Sequence, residues 1–161
     1  MSVQTTRRYC EWCRADVEMP VDTLEGLASA PQAMADALRV ATGEQSDGWS
    51  PAEVVAHLAD TEIVTGWRMR QVLSQAEPTI ESYDQDAWAA ALRYPSRDPE
   101  AALRSFAALR AVNVEIMRLM PDDAWERPFI HREYGRTTLG ALLRHKSDHD
   151  LAHLRQIQAA K

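Results

Sequence analysis

Three of the chain's five histidines fall within nine residues, HKSDHDLAH, from His145 to His153. A spacing of four stacks His145, His149 and His153 along one side of a helix. Such a stripe can be a solvated polar edge, a ladder of buried hydrogen bonds, or part of a metal site whose other ligands come from elsewhere. At about 100° per residue, Leu139, Leu142, Leu143, Leu154 and Ile157 mark the core-facing arc of this helix. His153 falls inside that arc, His149 roughly 90° from its centre and His145 about 130° away, toward solvent or a neighbouring helix. Asp150 lies near the centre of the arc, an expensive position for a lone carboxylate, so it requires a partner such as an inward Arg, His or Trp N–H.

His149 and His153 therefore form an i, i+4 pair at the core margin, the spacing by which two imidazoles reach one ion from successive turns. Two ligands are too few. Of His57, His131 and His145, His57 is the best third ligand on geometry, because it stands between Val54 and Thr61 on the flank of another helix's apolar face. The residues alone leave metal binding and ordinary hydrogen bonding as alternatives.

The elements that position these residues read as helices, since Ala, Leu, Arg, Glu and Gln dominate and alternating strand patterns are absent. A first helix is expected over Thr23 to Thr42, with Pro31 as a candidate break and Gly43 as its stop. Ser50-Pro51-Ala52-Glu53 is a capping box with proline at the first helical position, opening a helix to about Gln75. Asp84 to Leu92 is a short helix. Asp98-Pro99 opens a third long helix that Pro121 closes, and Thr137 or Thr138 caps a last one carrying the histidine stripe. Residues 121–132 read as connection with one turn around Trp125. Four long helices suggest a four-helix bundle, and the 76–97 connection is long enough to cross it.

With 161 residues and 45% hydrophobic composition the chain fits one domain with its own core. A net charge of −6 and a pI near 5.3 argue against a nucleic-acid partner. No apolar stretch reaches the roughly 20 residues of a membrane span, and the expected location is cytoplasmic, with no membrane partner. Residues 1–20 read as an N-terminal tail and 21–161 as the bundle domain. The tail carries Cys10-Glu11-Trp12-Cys13. Zinc would need about two further ligands and no second Cys pair exists, so the pair reads as two free thiols.

The blocks WSPAEVVAHLADTE (49–62), YDQDAWAA (83–90), HREYGRTTLGALL (131–143) and HDLAHLRQI (149–157) resemble, in order and separation, the DinB/YfiT-like superfamily, across Thr23 to Ala160. The resemblance implies an all-α four-helix bundle connected up-down-down-up and commonly homodimeric. It also implies a divalent metal (nickel, zinc or iron) held by His57, His149 and His153, and a small-molecule substrate. Family activities include transferases that use a low-molecular-weight thiol cosubstrate, such as mycothiol or bacillithiol. Metal-dependent hydrolysis and a non-catalytic metal-binding role in stress response stand as alternatives. Asp150, Glu53 and Asp60 are the carboxylates close enough in sequence to the ligands to be considered as a base. Arg68 and Arg70 would reach an anionic substrate only if they do not face water, and no tryptophan is assigned a site role.

Overall fold

The computed structural model describes residues 4–10, 14–42 and 48–160; Cys13 and Gly43 lie outside them. Four long helices, α1 (Thr23–Val40), α2 (Pro51–Ser74), α4 (Pro99–Leu119) and α5 (Leu139–Ala159), form the bundle, with a short α3 (Gln85–Ala91) between α2 and α4. Each long helix starts where a short oxygen-bearing side chain meets an otherwise unpaired N–H. Asp22 accepts from the Glu25 N–H at 2.9 Å, Asp98 from Glu100 at 3.0 Å and Thr138 from Ala141 at 3.2 Å. Ser50 and Glu53 complete the reciprocal capping box of α2.

Pro31 does not break α1. Proline has no N–H for the carbonyl of Leu27, four residues earlier. The guanidinium of Arg110 on α4 supplies the missing donor, Nη1 to the Leu27 oxygen at 2.7 Å. A helix that would be interrupted by its own sequence is thus completed by a neighbour.

Side-chain pairings fix the helix directions. Glu62 of α2 meets Arg110 of α4, and Arg70, two turns on, meets Asn113, so α2 and α4 run the same way. His57 meets His149 while Thr61 meets Lys146, so α2 and α5 are antiparallel. The bundle is up-down-down-up, and the parallel α2–α4 pair obliges residues 75–98 to travel back along its length. Small residues permit close approaches: a Cβ on Gly26 would fall 2.6 Å from Pro20 and 2.7 Å from Ser147 Oγ, and one on Gly66 2.7 Å from Asn113 Oδ1.

Two small sheets accompany the helices, which the helix-rich composition did not announce. Strands β1 (Thr5–Cys10) and β2 (Ala15–Pro20) form an antiparallel hairpin with Thr5 opposite Pro20 and Cys10 opposite Ala15. The segment expected to be a tail is therefore a folded element. An isolated two-stranded hairpin is marginal in water, and this one docks: Cys10 and Met19 are buried with Leu27, Leu139 and Leu142, and Glu18 pairs with Arg155 of α5 at 2.5 Å. Strands β3 (Thr79–Ile80), β4 (Pro128–His131) and β5 (Gly135–Thr138) make the second sheet in that order, β3 parallel and β5 antiparallel to β4. It occupies part of the stretch read as connection, after a 3-10 turn at Asp122–Glu126 that carries Trp125.

The core has two apolar halves, one around Met69, Phe129, Leu139 and Leu143, the other around Met34, Val54, Leu58, Phe106 and Ile157. A charged layer also lies inside the bundle. Arg110, 1% exposed, gives Nη2 to Glu62 at 2.7 Å and places Nη1 2.7 Å from Asp150 Oδ2. Lys146 Nζ donates to Asp150 Oδ1 at 2.8 Å and to Thr61 Oγ1 at 3.1 Å, and Asn113 donates to Glu62 at 2.8 Å. Two carboxylates and two cations balance.

Candidate metal centre

His57 reaches the centre from α2, two turns after the capping box that fixes where that helix begins, and is 1% exposed. His149 and His153 reach it from successive turns of α5. Across the antiparallel pair, His57 Nε2 and His149 Nε2 stand 3.2 Å apart. Ring centroids are 5.2 Å apart for His57 and His149, 5.1 Å for His57 and His153, and 4.4 Å for His149 and His153. One ligand atom from each lies within 4.8 Å of the others. The structure brings together the three residues that wheel geometry and resemblance single out; His131, in β4, is not among them.

Burial makes these imidazoles poor bases. It pushes His57 down to about 2, with His149, His153 and Lys146 adding repulsion. Burial and then Lys146 push His149 down to about 3. His153 is lowered by burial, against the raising effect of the hydrogen bond it donates to Gln156. All three are neutral near pH 7 and present lone pairs, the form in which imidazole binds a metal.

The donor set fits a divalent ion. Two nitrogens each about 2.0–2.1 Å from a tetrahedral ion stand about 3.3 Å apart, close to the 3.2 Å between His57 and His149. His153 Nδ1 pairs with Gln156 Oε1 at 2.8 Å; with the acceptor there, Nδ1 carries the hydrogen and Nε2 the lone pair. Gln156 in turn donates to the Trp49 carbonyl at 3.5 Å, and the Trp49 ring lies 4.8 Å from that of His57. The buried Nδ1 atoms of His57 and His149 have no hydrogen-bond partner. Such buried nitrogens are costly in an arrangement that served packing alone.

The remaining expectations sort clearly. Asp150, 2% exposed, has the partner its position demands in Arg110, and a second in Lys146. Burial alone would raise its carboxyl, but these cations hold it well below the usual range. Asp150 Oδ1 sits 3.8 Å from His149 Nδ1, near enough to orient the ring electrostatically. Glu53 is committed to the capping box and Asp60 to Arg97 at 2.8 Å, so none of the three considered carboxylates is a spare base. His145 is half-buried; it meets Cys10 of the hairpin at 3.6 Å.

A cavity of about 420 Å³ opens beside the cluster, lined by His149 together with Thr61, Thr65, Arg68, Tyr83, His131 and Lys146. The His149 side chain is 22% exposed. Arg68 turns inward, 9% exposed; it donates to the Glu81 carbonyl at 2.8 Å, lies 5.8 Å from the Tyr83 ring, and forms no ion pair among the described residues. Sequence reasoning named Arg68 only on the condition that it turned inward, gave Trp49 no role and missed Gln156. The i, i+3 step from His153 was a signal for Gln156, whereas nothing local distinguishes Arg68 from a surface arginine.

The sequence profile of the DinB superfamily matches residues 11–157. The chain belongs to the DinB superfamily. The match begins upstream of Thr23, so it takes in part of the N-terminal hairpin that the resemblance had left aside. This DinB-superfamily chain is 27% identical over 145 residues to YfiT of Bacillus subtilis, covering 83% of this chain and 81% of YfiT. It is 28% identical over 116 residues to a relative from Oceanobacillus iheyensis, covering 70% and 67% of the two chains. Both relatives are provisionally named metal-dependent hydrolases. The solved structure of YfiT, described as a probable metal-dependent hydrolase with an unusual four-helix bundle topology, superposes with a TM-score of 0.77 over 84% of this chain and 81% of that one. No helix among the described residues is long and apolar enough to cross a membrane.

Proposed function

We propose that this protein is a metal-dependent enzyme in which His57, His149 and His153 hold a divalent ion, and that it transfers a low-molecular-weight thiol to a small electrophile. The observation that carries the reading is the convergence of three neutral imidazoles at the edge of a cavity that also contains a buried guanidinium with no ion pair among the described residues. A bound divalent ion lowers the pKa of a thiol or water placed on it and so supplies an anionic nucleophile near neutral pH.

The chain's own residues do the rest. His149 is the ligand that faces the cavity, so the reacting group enters from that side. Arg68 is buried where an unpaired cation is costly, and it binds an anionic group of the thiol or its acceptor. Tyr83 and His131 of β4 line the cavity beside Arg68. A thiol of ordinary pKa near 8.5 needs far less help to ionise than water, and Asp150, Glu53 and Asp60 are committed to other partners, which favours thiol; Asp84 and Glu133, which line the cavity, are the carboxylates on which a hydrolase would draw. Hydrolysis is the second reading, favoured by the names of the relatives from Bacillus subtilis and Oceanobacillus iheyensis. The homodimer implied by the resemblance belongs to the same proposal, with equilibrium sedimentation as its test.

The experiment compares metal-loaded protein with a model electrophile and mycothiol or bacillithiol against ester and amide substrates without thiol. Thiol-dependent conjugation that disappears in His57→Ala, and that shows a KM raised about tenfold in Arg68→Gln, is the expected result; a tenfold change corresponds to about 1.4 kcal/mol. Hydrolysis without thiol, and no conjugation, would reverse the two readings.

A further inference from the structure

A second group of potential ligands lies on the adjacent face of α5, beside the first. His145 and Asp148 are three residues apart and share a helix face. Cys10, the last residue of β1, meets them there. Its Sγ stands 3.6 Å from His145 Nδ1, and one ligand atom from each of the three lies within 4.8 Å of the others. Cys10 is 3% exposed and Asp148 is buried.

The 3.6 Å separation is informative. A thiolate at about 2.3 Å and an imidazole nitrogen at about 2.0–2.1 Å from a tetrahedral zinc stand about 3.6 Å apart. Thiolate, imidazole and carboxylate together form a mixed set suited to zinc rather than to magnesium or calcium. One thiolate and one carboxylate also neutralise a dication, so the occupied site adds no net charge to the interior. An opening of about 240 Å³ between Tyr9, Cys10, Arg144 and His145 gives an ion access from outside. The sequence withheld this reading because zinc at the Cys10 pair lacked further ligands; the fold brings two of them from a helix 135 residues away.

We infer that Cys10, His145 and Asp148 form a second divalent-metal site of zinc type, separate from the three-histidine centre, which fastens the N-terminal hairpin to α5. The site gives the hairpin an anchor in addition to its apolar face and the Glu18–Arg155 pair. His145 is the residue nearest the first centre, its ring 6.3 Å from that of His149. The two sites therefore share a helix but no ligand.

Cobalt(II) added to the metal-free full chain tests this, with Cys13 retained in every variant. A thiolate-to-cobalt charge-transfer band saturating at one ion per chain is expected, and it should persist in the His57→Ala/His149→Ala double variant. It should vanish in Cys10→Ser, and the apparent affinity should fall at least tenfold in His145→Ala. Absence of the band from the wild-type chain, or an unchanged band in Cys10→Ser or His145→Ala, overturns the proposal. Thermal unfolding gives a readout independent of colour. In the double-variant background with zinc, a chelator should lower the midpoint, and adding Cys10→Ser should remove that shift; an equal shift in both would also overturn the site.

Discussion

Two buried polar regions meet along α5, and they are built on opposite plans. Around Arg110 the charges meet opposite charges: Glu62 and Asp150 face two cations, and even the Leu27 carbonyl freed by Pro31 is supplied with a donor. One turn of α2 away, His57, His149 and His153 turn their nitrogens toward one another and leave two buried Nδ1 atoms without partners. A network of paired opposite charges holds a fold in register, whereas a convergence of neutral imidazoles with no counter-group is prepared for something that is added. The proposed function rests on this contrast, with a structural role for the first region and ion binding for the second.

Removing a member from each region should separate them most strongly. Arg110→Ala leaves two buried carboxylates short of a cation and the Leu27 carbonyl short of a donor, and should cost roughly 3–5 kcal/mol of stability, read as urea midpoint. His57→Ala in metal-free protein should cost a small fraction of that. Its effect should appear only with metal, as loss of the midpoint increase that a tightly bound ion confers. Equal losses in the two metal-free variants would erase the distinction.

Acid should sharpen it. His57, His149 and His145 are held near 2, 3 and 4 in the folded chain, against about 6.5 when unfolded. Below 6.5 the unfolded chain takes up protons that the folded chain refuses, so metal-free stability is full above that pH and declines below it, by up to about 1.4 kcal/mol per unit per histidine. Asp150 is held low instead. Its contribution is present above the unfolded carboxylate value, near 3.9, and is lost only as pH falls beneath it. Midpoints of metal-free protein followed from pH 8 to 3 should begin to fall near 6.5, and the slope should diminish in His57→Ala. A flat profile down to about 4 would mean that the histidines are not buried in neutral form.

The smallest effect concerns orientation. Gln156→Leu removes the acceptor that fixes the His153 tautomer and should weaken metal affinity about 10- to 100-fold, measured by calorimetry, while leaving metal-free stability nearly unchanged. A full loss of binding would make Gln156 a ligand itself.

How legible this was follows from the range of each interaction. Helix starts were readable because a cap is a contact across three residues, as in Ser50-Pro51-Ala52-Glu53. The inward His57, His149 and His153 were readable because each apolar face is written into its own helix. The hairpin was not: Arg7, Arg8 and Tyr9 are exposed within β1, and the strand pair exists by docking Cys10 and Met19 into a core supplied by α1 and α5. His145 was placed correctly on the far flank of its helix, but what lies on that flank is set by the fold. Arg110 escaped notice because its partners, Glu62, Asp150 and the Leu27 carbonyl freed by Pro31, all lie on other helices.

Metal content of protein purified without a histidine tag, determined by elemental analysis in the Cys10→Ser background, tests the central claim most directly. That background removes the hairpin site from the count. The account predicts one divalent ion per chain, lost in His57→Ala, in His149→Ala and in His153→Ala, and retained in His131→Ala. Full occupancy in the His57→Ala or His149→Ala protein, or loss of the ion in His131→Ala alone, would contradict it.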